Sequence, residues 1–224
     1  MSGLCVLIPA YNAEDTLGEV IEGVKRTRLD IFVVDDGSTD STAQIAREMG
    51  VILLRHRENR GKGRALRTGF AHAVAHGYEA VITLDADGQH DAAEIPRFVE
   101  LYRRENPDLI IGSRASQFNE MPWLRRFWNR LGARAVSRRT GASVSDSQSG
   151  YRLIRTEVLR GVKLTTSTYE TEMELLIRAC KKGYRVVTMS IVGRAISDTT
   201  TSHFRPVIDT FKICMLYLRS LLWR

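Results

Sequence analysis

The sequence predicts an α/β fold: a mostly parallel sheet with helices on both faces. Three observations predict it. Short apolar runs rich in β-branched residues alternate with stretches of helical periodicity, giving four such runs before residue 85. Each run is apolar throughout rather than at every second position, as strands covered on both faces are. Polar clusters follow the first, second and fourth runs directly, where an open α/β sheet gathers its ligands.

Leu4–Ile8 is the first strand, and Pro9-Ala10-Tyr11-Asn12 breaks it. Asn12 or Asp15 suits the cap of a helix carrying Leu17, Val20, Ile21 and Val24. Ile31–Val34 is the second strand, ended by Asp35-Asp36-Gly37-Ser38-Thr39-Asp40, whose hydroxyls suit the cap of a helix through Ile45 and Met49. Val51–Leu54 is the third. Asn59-Arg60-Gly61-Lys62-Gly63 then leads into a helix with Ala65, Leu66, Phe70, Ala73 and Val74, stopped by Gly77. Val81–Leu84 is the fourth strand, and Asp108–Arg114 a fifth that ends in Arg114. Glu170–Lys182 reads as a helix with Met173, Leu176, Ile177 and Cys180 on one face. Glu170 and Glu172 sit in its first turn, where the helix dipole favours acids. Tyr184–Ile191 is a further strand. No G-x-G-x-x-G follows the first strand, so a nucleotide held across several strand ends fits better than the dinucleotide fingerprint.

The 224 residues suffice for one large domain with a real core. Thirty-three basic residues against 26 acidic ones give a net charge of +7. That balance points to an anionic partner: nucleic acid, an acidic membrane surface or a phosphorylated substrate. Cys5, Cys180 and Cys214 lie scattered in apolar contexts, as core residues of a reducing compartment do. The first apolar run lacks the basic leader of a signal peptide, and no run reaches the roughly 18 apolar residues of a spanning helix.

The chemistry concentrates in Leu84-Asp85-Ala86-Asp87-Gly88-Gln89-His90. Side chains alternate along a strand, so Asp85, Asp87 and Gln89 share one side if the strand runs on. Two carboxylates and an amide oxygen are hard donors that suit Mg²⁺ or Mn²⁺ rather than zinc. A plain strand-end turn uses the same residue types.

Two segments differ from the rest. Over Met121–Arg139, Trp123, Leu124, Phe127, Trp128, Leu131, Ala135 and Val136 recur at helical spacing amid six arginines. That pattern suits a helix lying in a membrane interface; a nucleic-acid surface or a helix packed on its own domain shares it. Val207–Trp223 is amphipathic too, with a stripe of Val207, Phe211, Cys214, Met215, Leu218 and Leu222, and suits either a second interfacial helix or core packing. Between these segments, Gly193–Ser202 is a polar stretch suited to closing over a ligand.

Together, Ile8-Pro9-Ala10-Tyr11-Asn12-Ala13-Glu14, Val34–Asp40, Asn59–Gly63 and Leu84–His90 resemble the family 2 glycosyltransferases of the GT-A fold. Within them the chain resembles the dolichol-phosphate mannosyltransferase and polyprenyl-phosphate glycosyltransferase branch. The resemblance implies that Pro9, Tyr11, Asn12 and Glu14 line the nucleotide pocket and that Asp36 contacts base or ribose. It places Lys62 near the nucleotide, and gives Asp85, Ala86, Asp87 and Gln89 the diphosphate through a divalent ion. Arg114 would face the acceptor. Ser145–Arg152 resembles the family's D-x-x-S-G-[FY]-R segment, so Asp146 would lie near the acceptor as an orienting group or a base, and Arg152 would order the site. Ser202, His203 and Arg205 would contact diphosphate or acceptor.

The expected protein is thus a GT-A catalytic domain over 1–203, with an interfacial helix near 121–139, followed by a C-terminal amphipathic helix over 204–224. Its expected activity is metal-dependent, inverting transfer of mannose or glucose from GDP-mannose or UDP-glucose to a polyprenyl phosphate, on the cytoplasmic face of an anionic membrane. A family 2 enzyme with a sugar-hydroxyl acceptor, a nucleotidyltransferase and a basic nucleic-acid-binding protein are the competing readings. Acids clustered at strand ends argue against the last.

Overall fold

The computed structural model describes residues 3–113, 137, 146, 149–192, 215–216 and 219–220. Strands β1 (Leu4–Ala10), β2 (Asp30–Asp35), β3 (Ile52–Arg55) and β4 (Ala80–Thr83) alternate with helices α1 (Leu17–Lys25), α2 (Thr42–Glu48) and α3 (Lys62–Ala75). Then follow α4 (Ile95–Glu105), β5 (Leu109–Ser113), β6 (Arg152–Arg155), α5 (Thr156–Gly161), α6 (Glu170–Lys181) and β7 (Val186–Ser190). The strands form one seven-stranded sheet in the order β3-β2-β1-β4-β6-β5-β7. All pairings are parallel except those of β6, which runs antiparallel to both β4 and β5.

Helices cover both faces, because each central strand is apolar on both. Val6 and Ile8 of β1 enter a core with Leu17 and Ile21 of α1 and Phe98 of α4. Cys5 and Leu7 enter the opposite core with Leu66 and Phe70 of α3, Val158 of α5 and Leu176 of α6. Successive side chains of a strand point to opposite faces, so one short run feeds two layers.

Three expectations are corrected. Pro9 does not break β1; the strand runs through it to Ala10. β4 pairs with β1 only as far as Leu7↔Thr83, so beyond Leu7 one side of β1 carries no ladder and a residue lacking N–H is tolerated. Neither Asn12 nor Asp15 caps α1: the cap position is Thr16, whose side chain makes no capping bond. The helix α4 and strand β6 fall where the sequence pattern suggested no element.

The C-terminal segment is only partly described. Met215, Leu216, Arg219 and Ser220 are helical, and Leu216 lies in the same core as α3 and α6. Lys181 Nζ donates to the Ser220 carbonyl at 3.3 Å. These residues pack on the domain, as the core-packing alternative expects. Apart from Ser137, the segment 121–139 lies outside the described residues. No described helix is long and apolar enough to cross a membrane.

α3 reaches the sheet because Gly69 lets it: a Cβ there would collide with the Leu7 side chain. Gly69→Ala should therefore destabilise the fold by about 1–3 kcal/mol through overpacking. Urea unfolding followed by circular dichroism measures this, and an unchanged midpoint would show that α3 does not press on β1.

Candidate active site

The six parallel strands end at one edge of the sheet, and β6 begins there. The loops after β1 and β2 are zipped together. Asn12 N–H donates to Ser38 Oγ at 2.9 Å, and its Oδ1 accepts from Thr39 N–H at 3.0 Å. Ala13 N–H donates to Thr42 Oγ1 at 2.8 Å, and Glu14 Oε2 accepts from Ser41 N–H at 2.9 Å. Asn12 stands at φ 45°, a left-handed conformation that Asn tolerates. Asn12 and Glu14 thus join the two loops that frame this edge. Pro9 is buried within β1, and Tyr11 just beyond it is half-buried.

Asp36 is 2% exposed. Its Oδ1 accepts from Arg60 N–H at 3.0 Å and faces His56 Nδ1 at 2.6 Å, while Oδ2 accepts from Gly61 N–H at 2.7 Å. His56 Nε2 lies 2.9 Å from Thr68 Oγ1. With the ring proton on Nδ1 toward the carboxylate, Nε2 accepts from the Thr68 hydroxyl. Asp36 therefore locks the turn that starts α3. Gly61, at φ +91°, must be glycine here, since a Cβ would also lie 2.5 Å from the Ser167 carbonyl oxygen.

That turn aims Lys62, the first residue of α3. Its Nζ is 2.7 Å from Asp85 Oδ1 and 3.3 Å from Glu172 Oε1 of α6. The Tyr169 ring lies beneath it, 5.5 Å from nitrogen to centroid. Burial works against the ammonium, but the Asp85 and Glu172 carboxylates outweigh it and hold the Lys62 pKa above its ordinary value. Arg152, 1% exposed, donates from Nε to the Ser149 carbonyl at 2.8 Å and from Nη1 to the Glu172 carbonyl at 2.6 Å. Burial pulls its pKa down; the charges of Glu172, Asp146 and Asp85 pull the other way. Held by these two carbonyls, the guanidinium ties the start of β6 to α6 at this edge. Asp146 is wholly buried.

Asp85, Asp87 and Gln89 are each partly exposed, whereas Ala86 and His90 are buried. Beyond Thr83 the chain leaves the ladder and turns over Ala86 and Asp87, with Gly88 at φ 71°. Thr16 Oγ1 donates to the Ala86 carbonyl at 2.6 Å, and Asp87 Oδ1 accepts from Gln89 N–H at 3.0 Å. Thr83 Oγ1 donates to the Gly150 carbonyl at 2.7 Å. A Cβ on Gly150 would stand 2.5 Å from Asp85 Oδ2, so only glycine lets that carboxylate lie against the β6 approach.

No cluster of three His, Cys, Asp or Glu forms a ready cation cage among the described residues. The donor set nonetheless fits Mg²⁺ or Mn²⁺, which take a few protein oxygens and complete their shell with water and substrate phosphates. Asp85 is paired with Lys62, and Asp87 and Gln89 follow in the same partly exposed turn. Arg114, Ser202, His203 and Arg205 lie outside the described residues. The sequence pattern missed Glu172, His56, Thr16 and Gly150. Glu172 was legible only as a dipole-complementing acid, and nothing in its spacing announced Lys62.

The architecture matches known enzymes. Glucosyl-3-phosphoglycerate synthase from Mycobacterium tuberculosis, crystallised with uridine diphosphate, superposes with a TM-score of 0.78 over 97% of this chain and 79% of its own, at 21% identity. Crystals of that synthase also hold Mn²⁺ with uridine diphosphate and phosphoglyceric acid. The fold is thus the GT-A class of glycosyltransferases. The model of "Glycosyl transferase family 2" matches residues 5–162. An uncharacterized protein of Methanocaldococcus jannaschii is 37% identical over 93% of this chain and 88% of its own length. The UDP-N-acetylglucosamine–dolichyl-phosphate N-acetylglucosaminyltransferase of Methanococcus voltae is 32% identical over 79% of each chain. The dolichyl-phosphate hexose transferase of Haloferax volcanii is 33% identical over 88% of this chain and 85% of its own. The chain belongs to glycosyltransferase family 2.

Two predictions follow from the geometry. Lys62→Ala strands two carboxylates beside each other and should cost about 3 kcal/mol, whereas Glu172→Gln, which leaves Lys62 paired with Asp85, should cost less; equal urea midpoints for the two variants would refute the bridge. Glu174 accepts from the Thr165 and Thr166 amides at 2.8 and 2.9 Å and pairs with Arg178 at 2.8 Å. Burial raises its pKa, but these hydrogen bonds prevail and lower it from the ordinary 4.5. Its contribution to stability is therefore present above about pH 4.5 and fades as pH falls below. The stability gap between wild type and Glu174→Gln should narrow over that range, and a gap independent of pH would contradict it.

Proposed function

We propose that the protein moves a hexose, mannose or glucose, from a nucleoside diphosphate sugar to a polyprenyl phosphate, with inversion at the anomeric carbon. The observation that carries this is the run of partly exposed Asp85, Asp87 and Gln89 just beyond the end of β4, with Asp85 held by Lys62. Such a run suits a diphosphate brought in with a divalent cation. Relatives named for dolichyl phosphate acceptors, at 32 and 33% identity, support the lipid.

Bound Mg²⁺ or Mn²⁺ supplies neutralisation of the charge that develops on the departing diphosphate. The chain's own groups do the rest. Asp87 and Gln89 orient the diphosphate end of the donor. Pro9 and Tyr11 border the base and ribose, in loops that Asn12, Glu14 and Asp36 hold in shape. Lys62 holds the Asp85 carboxylate in place. An acceptor phosphate oxygen attacks the anomeric carbon from the opposite side, a new C–O bond forms, and the bond to the diphosphate breaks with its electron pair leaving on the nucleotide. A phosphate monoester has its second pKa near ~6 and is largely a dianion at neutral pH, so no base is needed. Complete burial of Asp146 supports an orienting role for it. Arg114, Ser202, His203 and Arg205 are assigned to the acceptor and diphosphate. Segment 121–139 is assigned to a membrane surface, on its cytoplasmic face, where it brings two anionic substrates together.

Asp87→Ala should lower transfer from GDP-mannose or UDP-glucose to a polyprenyl phosphate by at least about 10²-fold, the scale of losing one electrostatic element of an active site. Its circular dichroism and melting temperature should stay those of wild type, since the residue lies at a surface turn. Undiminished, chelator-resistant turnover in this variant would falsify the assignment. Glycosidic linkage to a sugar hydroxyl rather than to phosphate would instead remove the lipid acceptor.

A further inference from the structure

A groove of about 480 Å³ lies between α3 and α5; of the site residues named above, only Thr68 borders it. One wall is a single stripe of α3: Arg64, Arg67, Ala71 and Val74, spaced three, four and three residues apart. At 1.5 Å per residue this wall runs for about 15 Å. Its basic end is the one nearer Lys62, and its apolar end points away. Leu159 and Arg160 of α5 form part of the facing wall. Arg64 and Arg160 are exposed and Arg67 is half-buried.

The charges are unbalanced. Among the described residues, none of these three guanidiniums has an ion pair or side-chain hydrogen bond. Arg97, Arg155 and Arg178, elsewhere on the surface, each lie within reach of a carboxylate at 2.5, 3.6 and 2.8 Å. Three cations around a concave, partly apolar floor favour a ligand with an anionic head and a hydrocarbon tail. Guanidiniums match phosphate oxygens in geometry as well as charge. The volume lies within the roughly 300–1,000 Å³ of small-ligand sites. A bare polyanion would leave the Ala71–Val74 end unused, and a neutral lipid would leave the arginines unanswered.

We infer that this groove seats one anionic phospholipid of a membrane surface, its phosphate on Arg64, Arg67 and Arg160 and its first methylenes along Ala71, Val74 and Leu159. The α3–α5 face of the domain then rests on the bilayer. The inference goes beyond the transferase reading and does not depend on it, because the lipid here is a structural ligand and not a substrate.

The test uses the full chain and dihexanoyl phosphatidylglycerol below its critical micelle concentration, titrated calorimetrically. Wild type should bind it at least tenfold more tightly than inorganic phosphate, and tenfold more tightly than dihexanoyl phosphatidylcholine. The triple variant Arg64→Gln, Arg67→Gln, Arg160→Gln should lose at least tenfold in affinity, and Val74→Asp alone should weaken binding as well. Both variants should retain sugar transfer to a short, water-soluble isoprenyl phosphate. Unchanged lipid affinity in the triple variant, or phosphate binding as tight as lipid binding, overturns the inference. Loss of transfer to the soluble acceptor overturns it too, since the arginines would then belong to the reaction site.

Discussion

Lys62 is the cation on which the site depends. Asp85 arrives at the end of β4 and Glu172 on the first turn of α6, and both carboxylates lie largely out of solvent around one ammonium. Removing a charge from water is costly unless it is paired, and here the pairing joins three elements distant in sequence. The turn held by Asp36 and His56 determines where Lys62 starts, and the Arg152 bond to the Glu172 carbonyl determines where α6 sits. Displacing any one of these leaves an unpaired charge or an orphaned carbonyl.

The reversed strand matters equally. A parallel sheet places all its strand ends at one edge, and a connection must then cross the molecule before the next strand begins. β6 runs the other way, so its start meets the end of β4 in the pairing Thr83↔Arg152. Gly150 and Arg152 therefore reach the same edge as Asp85 without a crossover. The glycine is required by contact rather than by backbone angle, since the Asp85 carboxylate occupies the space a side chain would fill.

Much of this was legible in the chain. The four alternating strands and three helices appear close to where periodicity put them, but β4 stops at Thr83 and the chain turns over Ala86 and Asp87 instead of running on as strand. Other features were not legible. The strand β6 is four residues long with arginine at both ends, and only its two neighbours make it a strand. Asp36, Asn12 and Glu14 carry the residue types of ligand contacts, and the structure uses them to bind loops to one another. A carboxylate's partners are set by what folds against it, which no local pattern records. For the C-terminal segment, apolar spacing alone suited both a membrane surface and a protein core, and Leu216 lies in the core.

The sequence by itself determined the layered α/β class and the apolar runs that become strands, because these follow from local periodicity and burial of apolar surface. Tertiary structure alone decided which polar groups meet: Lys62 with Asp85 and Glu172, Asp36 with His56, Arg152 with two carbonyls. The physical reason is range. Hydrophobic patterning acts through neighbours along one element, whereas a buried charge is satisfied by whichever group the completed fold brings within about 3 Å.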